Sequence, residues 1–479
     1  MSKLYFIVGS QDLYGEECLK TVADDARQMA EFFDVKLKGN VHVELLPTVE
    51  NSEICIANCR KANNDDDCVG VITWMHTFSP AKMWIKGLSQ LRKPLLHLHT
   101  QFNEKLPYDS IDMDFMNLNQ AAHGDREYGF ILARMNIPHE VVAGYYKHDD
   151  VVKKVAAFAD VARAIAYSNQ LKVATFGNNM REVAVTDGDR VETQIRYGWE
   201  TNYYALGDLV AYINAVTDAE IDGMMALYRE KYTMNTDNIE AVREQAKYEA
   251  ALEKFISDKG IGAFTDTFQD LHGMKQLPGI AIQDLMGKGI GFGPEGDYKI
   301  SALSAVLMEM SKGREGATGF IEDYTYDLTA GSELELASHM LEVPVAFAAN
   351  KPAIEVHPLG IGGKDDPARL VFDGVTGDGI QVTLVDMGDR FRIICADIEL
   401  VKQPAPMPKL PVARIMYRHK PDFAIGTAAW CYAGGAHHSV VSTALTRSDI
   451  AMFARLTKTE LITIGDDTTE TDLQKFFMK

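Results

Sequence analysis

No stretch of this sequence reaches the ~20 uninterrupted apolar residues that a membrane-spanning helix needs, so no membrane partner is expected. The apolar run 3-KLYFIVG-9 is also too short for a signal peptide. A soluble, cytoplasmic protein is the expectation. Basic blocks are missing as well. The formal charge is −20, and a phosphate backbone would be repelled by such a surface, which excludes nucleic acid as a partner. Cysteine is sparse and scattered: Cys18, Cys55, Cys59, Cys68, Cys395 and Cys431 contain no CxxC pair. A chain of 479 residues needs no disulfide staples, so neither a disulfide framework nor structural zinc is expected. Repeats and low-complexity tracts are absent too. Two glycine-rich segments fail as nucleotide loops: 361-IGGKDDPARL-370 lacks the phosphate-loop pattern, and in 286-MGKGIGFG-293 no helix opens where a pyrophosphate would need one.

What is present is a chain 46% hydrophobic, long enough for two or three domains. Strand-like 3-KLYFIVGS-10, 68-CVGVITW-74 and 93-KPLLHLHT-100 alternate with helix-like 19-LKTVADDARQMAEFF-33 and 80-PAKMWIKGLSQL-91. In the first helix the apolar face comprises Leu19, Val22, Ala23, Ala26, Met29, Ala30 and Phe33. This alternation predicts a parallel sheet covered by helices. A second unit of the same class begins near residue 171 with the strand 172-KVATFG-177. Its segment 279–310 reads as helix, short strand, glycine-rich loop and helix. The last third changes character: in 368–400, apolar strands are separated by the turn signals TGDG and MGDR, which predicts an antiparallel meander closing as a barrel or sandwich. The fold class expected is therefore α/β, with two parallel-sheet domains, 1–170 and 171–325, followed by a C-terminal antiparallel β-barrel domain, 326–479.

Three separated pieces carry candidate chemistry. Glu295 lies in 291-GFGPEGDYK-299, between a strand and a helix, at the strand edge where open α/β sheets bind ligands. Alone, it reads equally well as a helix-terminus carboxylate. Glu322 and Asp323 interrupt the aromatic stretch 319-GFIEDYTYDL-328, where a buried carboxylate requires a cation, a metal or a raised pKa. His339 sits in 338-SHMLEVP-344; a single histidine in such a run is more often a satisfied core residue. With one of the adjacent pair His437 and His438, these residues form a two-carboxylate, two-imidazole set suited to a divalent cation of the manganese, cobalt or magnesium type. Adjacent residues on a strand point to opposite faces, so only one of the pair is expected to serve the site. Polar loops 9-GSQDLYG-15, 75-MHTFSPAKMW-84, 99-HTQFN-103 and 112-DMDFMNLNQAAHGDRE-127 mix amides, hydroxyls, imidazoles and aromatics, as sugar sites do.

These pieces together resemble one family. GSQDLYG, WMHTFSPAKMWI, HTQFN, SIDMDFMNLNQAAHG, NMREVAVTDGD, FTDTFQDLHGMKQLPG, EGDYK, EDYTY, SHMLE, LGIGGKDDPARL and AGGAHHS are similar to the L-arabinose isomerases, over nearly the whole chain. The resemblance implies conversion of L-arabinose to L-ribulose, and of D-galactose to D-tagatose, with one Mn2+ per subunit that Co2+ or Mg2+ can replace. It implies metal ligation by Glu295, Glu322, His339 and His438, and sugar contacts from Gln11, Leu13, Tyr14, His123, Met180 and Phe268. A homohexamer with sites near subunit interfaces is implied as well. Isomerisation through an enediol needs one group to take a proton and another to return it, roles that fall to Glu295 and Glu322. The alternatives are an isomerase of another sugar, such as L-fucose, and a non-catalytic sugar-binding protein.

Overall fold

A computed structural model describes residues 2–477. The chain divides into two compact units: the first runs to Ala166 and includes Ala451–Lys458, and the second comprises Tyr167–Ile450 and continues from Thr459.

In the first unit, β1 (Lys3–Gly9), β2 (His42–Leu45), β3 (Cys68–Met75), β4 (Leu95–His99) and β5 (Glu140–Ala143) form one sheet in the order β2-β1-β3-β4-β5. Every pairing is parallel. All eight residues of β3 are buried, as a strand covered on both faces requires. The helix Gly15–Lys36 buries Val22, Ala26, Met29, Ala30 and Phe33, the spacing of one helical face. Two members of the predicted face behave differently: Ala23 is exposed and Leu19 only half-buried. Asp25 is buried instead, because its carboxylate accepts a hydrogen bond from His76 Nε2 at 2.8 Å.

In the second unit, β6 (Lys172–Phe176), β7 (Glu200–Tyr204), β9 (Ala263–Asp266) and β10 (Gly291–Phe292) pair in parallel in the order β10-β9-β6-β7, while the two-residue β8 (Thr233–Met234) joins β13 (Ala353–Val356) and β14 (Ala368–Val371) in a small sheet. The barrel is built from β11 (Thr318–Asp327), β12 (Leu334–Ser338), β15 (Gly377–Asp386), β16 (Phe391–Val401), β17 (Ile415–His419) and β18 (His438–Ser442). Their order, β15-β18-β11-β12-β17-β16, closes through a β15–β16 pairing, and β19 (Glu460–Ile464) adds in parallel to β16. Six antiparallel strands thus form a closed barrel beside a parallel α/β layer, the fold class expected. Within 368–400 the hairpin at MGDR joins β15 to β16. TGDG is not a hairpin turn: β15 already begins at Gly377, and β14 belongs to the small sheet with β13.

No disulfide is formed, and Cys55 and Cys59 are buried free thiols on the helix Ser52–Asn64. Among the described residues no helix is long and apolar enough to cross a membrane.

Candidate active site

The centre is assembled where β10 runs out beside three neighbouring barrel strands. Glu322 on β11 lies directly opposite His438 on β18 and, across the other edge, opposite Ser338 on β12. Directly opposed residues of an antiparallel pair project to the same face, so the register alone brings Glu322 and His438 together. His339 follows Ser338, one residue beyond the end of β12, and its Nε2 lies 3.4 Å from Glu322 Oε2.

Glu295 enters from the loop after β10. Its φ of +62° is left-handed, a region that strains a residue bearing a Cβ. Gly296 follows at φ +81°, and a Cβ there would come within 2.4 Å of Asn179 Cα. The Glu295 carbonyl accepts from Met180 N–H at 2.8 Å, which pins the bend. Its carboxylate then reaches His438 Nε2 at 3.8 Å and His437 Nε2 at 3.9 Å.

Both adjacent histidines therefore approach Glu295, which corrects the alternation argument. His437 is not a strand residue: it occupies a bend just before β18, where the two-residue period does not hold. The rings are 4.3 Å apart and steeply inclined. Their surroundings differ. His438 is fully buried, whereas 38% of the His437 side chain is exposed.

Each buried imidazole is oriented from behind by a buried carboxylate. His438 Nδ1 meets Asp297 Oδ2 at 3.1 Å, and His339 Nδ1 is bonded to Glu342. Carboxylate–imidazole pairs of this kind fix the ring and its tautomer, leaving Nε2 as the outward atom. Asp297 also caps the helix Tyr298–Ser311 by accepting from Ile300 N–H at 3.2 Å. Lys299, itself buried, lies 3.5 Å from Asp297 and donates to the carbonyls of Val185, Thr186 and Asp187. Phe320 presents edge contacts to both His339 and His438 at 5.6 Å, and Phe268 stacks on His339 at 5.8 Å. These rings exclude water from one side of the cluster.

Titration follows from this packing. Burial alone would raise the Glu295 carboxyl, but the neighbouring imidazoles of His437, His438 and His339 hold it below the usual range. Burial would depress His339, yet the Glu342 charge and hydrogen bond, with Glu322 and Glu295 behind them, push it up to about 9. Asp323, beside Glu322, faces elsewhere. Desolvation and then Glu335 push its carboxyl up to about 8, while Gln381 Nε2 at 2.7 Å and Tyr417 OH at 2.7 Å donate to it. That resolves how the aromatic stretch accommodates two adjacent carboxylates.

A divalent cation fits these donors on one specific observation. His438 Nε2 is buried beside Glu295 and has no hydrogen-bond partner, an atom that would be costly to leave unsatisfied. Two imidazole nitrogens and two carboxylates form a borderline-to-hard set without thiolate, suited to a divalent cation.

Of the sugar-contact candidates, Met180 and Phe268 touch this centre as described. Gln11, Leu13, Tyr14 and His123 belong to the first unit. Gln11 precedes the turn Asp12–Tyr14 at the end of β1, Leu13 is 84% exposed, Tyr14 OH donates to Gln120 at 3.1 Å, and exposed His123 stacks on Phe78 at 4.2 Å. Asp297, Glu342 and Phe320 were not singled out from sequence. Asp297 carried a weak signal, as an acidic residue just before an apolar helical run. Glu342, three residues after His339, carried none.

A parallel α/β layer joined to a closed barrel brings carboxylates and imidazoles together at the junction. The chain matches three family models: the L-arabinose isomerase N-terminal domain over residues 1–170, the central domain over 172–313 and the C-terminal domain over 317–460. It is 50% identical over 476 residues to an L-arabinose isomerase of Halalkalibacterium halodurans, covering 97% of this chain and 94% of that one. It is 49% identical to those of Oceanobacillus iheyensis, over 96% of this chain and 98% of the other, and Geobacillus stearothermophilus, over 97% and 95%. Among solved structures, a periplasmic sugar binding protein from Legionella pneumophila overlays with a TM-score of only 0.16 at 10% identity, over 64% of this chain and 95% of that one. The chain belongs to the L-arabinose isomerase family and is an isomerase.

Proposed function

We propose that this protein interconverts L-arabinose and L-ribulose through an enediol. The observation that carries the reading is the convergence of Glu295, Glu322, His339 and His438 in a chain half identical to L-arabinose isomerases. In the aldose-to-ketose direction one glutamate takes the proton from C2 and returns it to O1, while the other delivers a proton to C1 and recovers one from O2, so a C–H and an O–H bond break, a C–H and an O–H bond form, and both glutamates regain their starting states. Glu295, held ionised by its imidazole neighbours, enters the cycle as a carboxylate. Asp297 and Glu342 keep the two imidazoles turned toward the cluster, and Phe320 and Phe268 limit water access to the reacting carbons. Glu295, Glu322, His339 and His438 would hold a manganese ion, or cobalt or magnesium in its place, whose Lewis acidity would stabilise developing negative charge on the sugar oxygens. D-galactose, with one more hydroxymethyl group, is the second substrate and gives D-tagatose. The enzyme works in the cytoplasm as a homohexamer in which Gln11, Tyr14 and His123 reach the metal site of a neighbouring copy.

The test is a panel of aldoses, L-fucose included, assayed for ketose formation with added manganese and again after chelation. L-arabinose should be turned over best, and chelation should abolish turnover. Glu295→Gln and Glu322→Gln should each lower turnover at least ~100-fold, the scale of losing a general acid or base. Preferred turnover of another aldose, or near-normal rates in either variant, would overturn the corresponding part of the reading.

A further inference from the structure

The first unit contains a second cluster of metal-binding residue types that the isomerase reaction described above does not use. His97 and His99 stand two residues apart on β4, so they project to the same face of the sheet. The facing helix Ala121–Arg134 brings Asp125 beneath them. That approach depends on Gly124, where a Cβ would lie 2.7 Å from the carbonyl oxygen of Thr77. Asp125 Oδ1 lies 2.8 Å from His97 Nε2 and accepts from Met75 N–H at 3.3 Å, while Oδ2 lies 2.6 Å from His99 Nδ1. One donor atom from each of the three residues falls within 4.8 Å of the others.

Burial divides the three usefully. Asp125 and His97 are enclosed, whereas about a third of the His99 side chain, 36%, is exposed. His99 also lines a cavity of about 540 Å³, with Gln101, Asn103, Glu104, Asn119 and Tyr145. The cluster is thus anchored on two sides and open on the third. It lies at the carboxyl end of β4, an interior strand of the parallel sheet, where open α/β sheets place their ligands.

We propose that His97, His99 and Asp125 form a second divalent-cation site, with its remaining coordination positions facing the cavity. Two imidazole nitrogens and one carboxylate oxygen favour zinc, cobalt or nickel over calcium and magnesium. The metal takes the place of the protons between Asp125 and the two rings, and each neutral ring then carries its proton on its other nitrogen. A tetrahedral ion ~2.1 Å from each donor needs donor spacings of ~3.4 Å. From 2.6 Å the partly exposed His99 ring therefore opens by ~0.8 Å, while the buried His97–Asp125 pair, at 2.8 Å, opens by ~0.6 Å.

The test is a cobalt(II) titration of the metal-free chain, followed by visible absorption and equilibrium dialysis. The parent should bind two equivalents per chain. His99→Ala and Asp125→Asn should each bind one, with the lost equivalent weakened at least ~100-fold, at or beyond the upper range for disturbing a ligand's supporting shell. His438→Ala should lose the other equivalent and keep this one. Asp125→Asn preserves shape and hydrogen-bonding capacity, and circular dichroism checks the fold of each variant. Anomalous diffraction from cobalt-soaked parent crystals gives a readout that needs no variant, with a peak expected among His97, His99 and Asp125. A single equivalent in the parent that His438→Ala removes would overturn the proposal and leave the cluster a hydrogen-bonded core knot. So would a second equivalent that survives both His99→Ala and Asp125→Asn, or soaked crystals with no peak at the three residues.

Discussion

Replacing Asp297 by asparagine isolates the charge behind His438 from everything else that residue does. Asp297 performs three tasks: it accepts from His438 Nδ1 at 3.1 Å, it caps the helix Tyr298–Ser311, and it sits 3.5 Å from the buried ammonium of Lys299. Asparagine caps a helix about as well as aspartate, so the helix should remain. Its amide oxygen can still face the imidazole, but the negative charge is gone. Loss of such a supporting carboxylate weakens metal affinity by ~10–100-fold, which is about 1.4–2.8 kcal/mol. Lys299 loses a counter-charge as well. Stripping a buried ion of its partner costs ~3–5 kcal/mol, but three carbonyl acceptors remain on Lys299, so the loss of stability should fall short of that. The assay is manganese affinity by equilibrium dialysis, paired with turnover at saturating manganese. The dissociation constant should rise ~10–100-fold while saturated turnover stays near the parent's. Asp297→Ala, which also removes the cap, should lose a further ~1 kcal/mol of stability. Unchanged manganese affinity in a folded Asp297→Asn chain would refute the claim that this carboxylate tunes the His438 ring.

Three further outcomes are expected. His438→Ala should weaken manganese binding more than His437→Ala, because the fully buried ring carries the unpartnered Nε2 while its neighbour is partly solvated; the reverse order in titrations would reassign the ligand. Glu249→Gln should flatten the pH dependence of stability. Burial and the adjacent Asp284 push Glu249 up to about 8, so between its ordinary value near ~4.3 and 8 the folded chain holds a proton that the unfolded chain has released. Stability therefore falls as pH rises through that window, and equal drops in melting temperature from pH 5 to 8 in parent and variant would sink the argument. Mixing dissociated Glu295→Gln and His123→Asn chains and reassembling them should restore some activity if neighbouring copies share a site; confirmed reassembly with no gain over either parent would mean that each site is built within one chain.

Much of this architecture is legible in the sequence because the relevant signals are local. The glycine-rich turn around Glu295, the buried runs of β1, β3 and β4 and the MGDR hairpin each declare themselves within about ten residues. What escaped depends on contacts between distant segments. Nothing near Glu342 indicates that it orients His339, and Asp297 reads as a helix cap until β18 brings His438 to it from 141 positions away. Asp25 lies outside the apolar face of its helix, and it is buried only because its partner, His76, lies on another element. The pair at 437 and 438 was misjudged for a different reason. The strand period begins only at His438, and the bend at His437 lets both rings face Glu295.

The left-handed backbone at Glu295 has a consequence for anyone selecting sturdier forms of this protein. A residue with a Cβ held at φ +62° carries a conformational penalty of about 1–2 kcal/mol, and glycine is the substitution that removes it outright. A screen for heat resistance that ignores turnover should therefore find glycine at position 295 repeatedly, and each such clone should be inactive. Catalysis and robustness pull this one position in opposite directions, so improvement without loss of activity has to come from residues that hold the bend in place, such as the loop around Met180 and Asn179, whose contacts enclose Gly296.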